Sequence, residues 1–110
     1  MSLKTFPLNL TASDQTVFEV PANTEGTAHN IMVTGSGNLT LKYYNKRNNT
    51  TYTVYDGIAV TDSFAVDKSF NFEVGDKLIA SGDTLKLFAS IYFVGATSAI
   101  DPVFGPGPQT

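Results

Sequence analysis

A chain of 110 residues, 42% of them hydrophobic, has the size and composition of one globular domain with one core. Its formal charge is −3, from 7 basic and 10 acidic residues, and its densest basic spot is only Lys42, Lys46 and Arg47 beside a turn, which argues against nucleic acid as a partner. With no cysteine, disulfide staples, zinc–thiolate sites and thiol catalysis are excluded, and stability must come from packing and sheet hydrogen bonds.

No segment approaches the roughly 20 apolar residues of a membrane helix. The opening stretch, MSLKTFPLNLTASDQT, holds no apolar run long enough for a signal-peptide core. The sequence therefore predicts no membrane partner and folding in a reducing cytoplasm. The sequons at Asn9, Asn38, Asn48 and Asn49 read as strand and turn residues rather than glycosylation sites.

In chain order, Phe6, Leu8 and Leu10 alternate with Pro7, Asn9 and Thr11 and predict a first strand. Pro7, lacking an N–H, places it at an edge or at a strand's start. Thr16 to Val20 predicts a second strand, and Pro21 to Gly26 a loop. Thr27 to Thr34 predicts a third, with His29, Ile31 and Val33 on one face. Gly35-Ser36-Gly37 reads as a connection. Asn38 to Tyr44 then alternates, with Leu39, Leu41 and Tyr43 together. Asn45 to Thr50 is a hairpin loop, because Asn tolerates positive φ. Thr51 to Tyr55 returns with Tyr52 and Val54 on one face. Asp56-Gly57 and Thr61-Asp62 punctuate two short apolar pieces, Ile58 to Val60 and Phe64 to Val66. Phe70, Phe72 and Val74 alternate, Gly75-Asp76 turns, Leu78 to Ala80 is a short strand, and Ser81-Gly82-Asp83 turns again.

The longest strand is predicted over Thr84 to Val94. Leu85, Leu87, Ala89, Ile91 and Phe93 share one face, because strand side chains alternate with period two. Lys86, Phe88, Ser90, Tyr92 and Val94 share the other. The first is a core face. The second is too apolar for a plain solvent face, so Phe88, Tyr92 and Val94 are candidates for a protein interface. About eight strands with no helical period predict an all-β fold: a single β-sandwich, jelly-roll or Ig-like.

Beyond Gly95 the sequence ATSAIDPVFGPGPQT, with three prolines and two glycines, cannot form a helix or a central strand. The expected organisation is a β-sandwich domain over residues 1–95 and an extended Pro/Gly-rich arm over 96–110. The arm is expected to lie across a neighbouring subunit, anchored by Ile100, Val103 and Phe104.

No catalytic constellation stands out. The single histidine, His29, sits in an alternating strand and reads as half-buried and structural. No nucleophile motif accompanies it. Asp56, Asp62, Asp67, Asp76 and Asp83 fall in separate turns without a calcium-loop spacing, and each reads as a turn residue bonding its own backbone. Gly35-Ser36-Gly37 lacks the helix and lysine of a phosphate loop. The expectation is a non-enzyme with no metal and no cofactor. Tyr43, Tyr44, Tyr52 and Tyr55 flank one hairpin. Alternation sends Tyr43 and Tyr52 inward and leaves Tyr44 and Tyr55 as outer-surface candidates that could stack on a sugar or fill a protein contact.

The order of pieces, Val20-Pro21-Ala22, then Ala28-His29-Asn30-Ile31-Met32-Val33, Leu39 to Tyr44, Tyr52 to Val60, and Phe70-Asn71-Phe72-Glu73-Val74-Gly75-Asp76-Lys77-Leu78, resembles a family of small tailed-bacteriophage virion proteins. The resemblance runs from about Thr16 to Val94, and its most specific piece is Phe72 to Leu78. It implies a structural component of the virion, made in the host cytoplasm. The commonest such role is a capsid decoration or cement protein on the capsid surface, a homo-oligomer (dimer or trimer) whose partner is the major capsid protein. The competing readings are a tail or neck adaptor or fibre-associated protein, and a carbohydrate-binding module using Tyr44 and Tyr55.

Overall fold

The computed structural model describes residues 2–68 and 70–95 of the chain. They form an all-β, sandwich-like fold of seven strands: β1 (Ser2–Asn9), β2 (Gln15–Glu19), β3 (Thr24–Asn45), β4 (Thr50–Ala65), β5 (Asn71–Phe72), β6 (Lys77–Ser81) and β7 (Leu85–Gly95). All pairings are antiparallel in one sheet of order β1-β7-β3-β6-β2, with β4 and β5 also on β3. Among the described residues the strands number seven rather than eight. Gly35-Ser36-Gly37 does not end a strand but lies within β3. Thr51 to Tyr55, Ile58 to Val60 and Phe64-Ala65 merge into β4. Of the stretch Phe70 to Val74, only Asn71 and Phe72 pair as strand.

The sheet curls because its long strands bend along one line. β7 runs against the first half of β3, from Thr24↔Gly95 to Gly35↔Leu85, and β6 takes over the same edge from Thr40↔Ser81 to Tyr44↔Lys77. Next door, β1 lies on β7 and β2 on β6. At the junction, Gly35 (φ 112), Asp62 (φ 74) and Thr84 (φ 64) all leave the extended region, and Gly35 is the register partner of both Leu85 and Asp62. Backbones meet closely there. A Cβ on Gly37 would lie 2.6 Å from the Asp83 carbonyl oxygen, and one on Gly82 2.9 Å from that of Asn38. The Thr84 hydroxyl donates to the Ser36 carbonyl at 2.6 Å, and the Leu10 N–H to the Leu85 carbonyl at 2.9 Å. Strands that bend in this way pass from one layer to the other without breaking the sheet. The glycines that read as a loop signal therefore mark a corner.

Curling brings the two halves face to face. Phe6 of β1 stacks on Phe18 of β2 at 5.2 Å between ring centres, Phe18 meets Phe72 and Phe93 edge-on, and Phe72 meets Tyr43. The inward residues of β7, Leu85 to Phe93, are at most 7% exposed, as the alternation requires. They join Ile31, Val33, Leu39, Leu41, Val60 and Leu78 in one core. Burial of each such aliphatic side chain contributes about 1.5–3 kcal/mol. β1, whose Pro7 cannot donate to a second neighbour, is an edge strand. The two Gly-Asp turns differ in build: the left-handed residue is Gly75 (φ 82) in one and Thr84 in the other.

Candidate protein interface

Two features outside the core could act on another molecule: the outer face of the β1-β7-β3 half, and the polar cluster at the β3–β4 hairpin tip.

The outer face is set by register. Leu3, Tyr92, Thr27 and Asn71 align across four strands, as do Pro7, Phe88, Met32 and Ala65, with Thr5 and Ser90 between these rows. Leu3 is 48% exposed, Phe88 36% and Tyr92 37%. Val94 is half-buried on the same side. The structure thus brings Phe88, Tyr92 and Val94 to one surface and adds Leu3, Pro7 and Met32 to it. Leu3 and Pro7 could have been found by extending the alternation of the first strand back to Ser2. Met32 follows as well, since alternation sets it opposite Ile31 and Val33. A bulge between Ala28 and Asn30 reverses the expected faces on its N-terminal side. Ala28 turns toward the core, and His29 is exposed, meeting the Tyr92 ring edge-on at 5.2 Å rather than lying half-buried with Ile31. Ile100, Val103 and Phe104 lie outside the described residues.

The tyrosines also depart from simple alternation. Bulges at Leu39/Leu41 and Leu41/Lys42 shift the hairpin, so that Tyr55 pairs with Leu41 and turns inward. It is half-buried against the core, edge-on to Phe64 at 5.4 Å, and donates to Asp67 at 3.2 Å. Desolvation, and then Asp67, push its hydroxyl pKa up. Tyr52 is the exposed one, at 49%, stacked on Tyr43. Tyr44 lies on the opposite face from Tyr55, donating to Asn49 at 2.7 Å with the Lys77 ammonium 5.5 Å from its ring centre. Tyr44 and Tyr55 therefore do not form one stacking platform.

At the hairpin tip Asp76 is fully buried. Its carboxylate accepts from the Tyr43 hydroxyl (2.6 Å), the Glu73 N–H (2.8 Å), the Lys46 N–H (3.0 Å) and the Asn45 amide (3.5 Å). Asp76 thus does more than bond its own turn: it clamps the Glu73–Asp76 turn to the hairpin. Desolvation, followed by the hydrogen bond to Asp76, raises the Tyr43 pKa. Arg47 and Glu73 pair across the same junction at 3.3 Å, largely exposed. The cluster thus locks the turn to the hairpin. Asp14, on the loop before β2, is paired with Lys42 at 2.8 Å, and that hydrogen bond holds its carboxyl below the usual range.

A cleft of about 240 Å³ opens beside β1 and the end of β2, lined by Lys4, Phe6, Glu19, Pro21, Thr24 and Phe93. It falls short of the roughly 300 Å³ at which small-molecule sites begin. Among the described residues no cluster of three or more His, Cys, Asp or Glu could hold a metal ion.

No protein-family model and no curated protein matches the chain. Among solved structures, a chain of the Bacillus endospore appendages, a family of disulfide-linked pili, superposes with a TM-score of 0.52 at 12% identity, over 86% of this chain and 85% of that one. A pentameric capsid protein isolated from metagenomic phage sequences superposes with a TM-score of 0.49 at 14% identity, over 89% of this chain and 68% of that one. The first likeness is one of fold, and it stops short of the linkage, because this chain has no cysteine with which to form a disulfide.

Proposed function

We propose that this chain is a structural, non-enzymatic subunit of a bacteriophage virion. Within the virion it acts as a decoration or cement protein, bound on the capsid surface across major capsid subunits. The observation that carries this reading is the outer face of β1, β7 and β3, where Leu3, Phe88 and Tyr92 stand exposed in register on a rigid sheet. A surface of that kind is suited to burial against another subunit of an assembly, a sister copy included. The resemblance of about Thr16 to Val94 to small virion proteins supports the virion setting. The fold neighbour that forms pili supports a subunit of a repeated assembly. The arm over residues 96–110 belongs to this proposal as an added contact, since it lies outside the described residues. Many copies of a weakly binding subunit stabilise a shell by mass action and multivalency.

The test is the copy number of this protein in purified virions, by quantitative mass spectrometry against the major capsid protein. A ratio comparable to the shell subunit supports decoration. A single ring of copies moves the protein to the neck or tail, and absence from the particle overturns the virion reading.

A further inference from the structure

We propose that the outer face of β1, β7 and β3 is a contact between two copies of this chain, packed sheet on sheet with their strands antiparallel about a two-fold axis over Ser90. The inference goes beyond the virion reading and does not depend on it.

The argument starts from the ends of the face. Along β7 the outward positions are Lys86, Phe88, Ser90, Tyr92 and Val94. Glu25 of β3 pairs with Val94 at one end, and Lys86 pairs with Thr34 at the other. Neither Glu25 nor Lys86 has an ion-pair partner among the described residues. The rows between them, Leu3–Tyr92–Thr27, Thr5–Ser90–Asn30 and Pro7–Phe88–Met32, hold no acidic or basic side chain. The face is thus negative at one end and positive at the other, with no carboxylate, lysine or arginine between; Phe88 and Tyr92 are placed symmetrically about Ser90, and the exposed His29 stands beside Tyr92.

A two-fold axis lying across the strands at Ser90 exchanges the ends. It sets Tyr92 over Phe88 of the second copy, Leu3 over Pro7, and Glu25 beside Lys86, twice per dimer. The small residues Thr5 and Ser90, hydrogen-bonded to each other at 3.2 Å, sit at the centre, where the two sheets approach most closely. A two-fold axis along the strands would instead place Lys86 near Lys86 and Glu25 near Glu25, which like-charge repulsion disfavours. Packing of antiparallel sheets with a slight rotation is the ordinary geometry of sheet-on-sheet contacts. The patch spans nine residues along β7 and about four strands, on the order of 500 Å² per copy. That is the size of a weak contact, which gains strength where copies are already held side by side.

The test uses the full chain in solution. Sedimentation equilibrium up to about 1 mM should show the wild type rising from monomer toward dimer. Glu25→Lys and Lys86→Glu should each weaken association by about tenfold, and the double reversal should restore it. Because the chain has no native cysteine, Ser90→Cys gives one reporter near the axis. Oxidation, or a short bis-maleimide, should convert it to a covalent dimer far faster than Thr53→Cys, placed on the hairpin. Thermal melts of each variant establish that it is folded. A wild type that stays monomeric up to 1 mM overturns the proposal and leaves the face to a different protein. A double reversal that fails to restore association overturns the antiparallel arrangement, as does equal cross-linking at positions 90 and 53.

Discussion

Asp76 concentrates more of the local order than any other polar residue described here. Four donors converge on it; the Asn45 amide also donates to the Tyr43 hydroxyl at 2.9 Å, but the Tyr43 hydroxyl and the Glu73 and Lys46 N–H groups all donate to the carboxylate. Asp76→Ala should therefore lose about 3 kcal/mol or more in denaturant unfolding, because unsatisfied buried donors each cost about 1–3 kcal/mol. Asp76→Asn should lose less, since one amide oxygen still accepts. The same cluster makes an alkaline prediction. The Tyr43 hydroxyl titrates above its ordinary value near 10, through desolvation and then Asp76. A folded-state pKa raised above the unfolded one means that the native state holds its proton longer. The contribution is complete below the unfolded pKa and is lost as pH rises through the folded one. Stability should fall in that alkaline window, and Tyr43→Phe, less stable at neutral pH by about 1 kcal/mol, should show a flatter decline.

At the scale of elements, the corner decides the fold. Gly37 has room for no side chain against the Asp83 carbonyl, whereas Gly57 has open space but a left-handed φ of 68. The two separate steric from conformational cost. Gly57→Ala should lose about 1 kcal/mol, the strain of a left-handed alanine. Gly37→Ala should lose at least twice that, because β3 and the 82–84 turn must move apart, and it should also loosen the Thr84–Ser36 hydrogen bond. Chemical denaturation of both variants checks the order. Equal losses would mean that the corner is slack. The bulge between Ala28 and Asn30 belongs to this scale as well: one extra residue in β3 turns His29 outward beside Tyr92 and Ala28 inward.

For the whole molecule, one continuous sheet supplies both layers and therefore two unlike faces on β7. Removing an inward side chain should open a cavity between the layers, and Ile91→Ala is expected to lose about 2–5 kcal/mol. Phe88→Ser and Tyr92→Ser, on the outer face of the same strand, should change stability by less than about 1 kcal/mol and act on association instead. Unfolding midpoints set beside sedimentation of the same variants distinguish the two faces. An outer-face variant that unfolds as readily as Ile91→Ala would show that the face is part of the core.

The sequence by itself determined the class of fold and the central strand. Period-two alternation over Leu85 to Phe93 is a local property of extended backbone, and so was the exposure of Phe88 and Tyr92 opposite it. It also put Pro7 at an edge or a strand's start, and the hairpin turn at Asn45 to Thr50; the structure shows the edge, and Asn49 as the residue at positive φ. Only the tertiary structure decided the rest. Whether glycines end a strand or bend it depends on which backbone lies against them, and Gly35 and Gly37 meet residues almost fifty positions away. Bulges at residues 28–30 and 39–42 shift faces without any composition signal, which is why His29 and Tyr55 took places that alternation did not assign; Tyr52 kept its face beside Tyr43 yet is exposed. Asp76 looked like one turn aspartate among five. Its burial follows from the hairpin folding over it, a contact between distant stretches that no local pattern encodes.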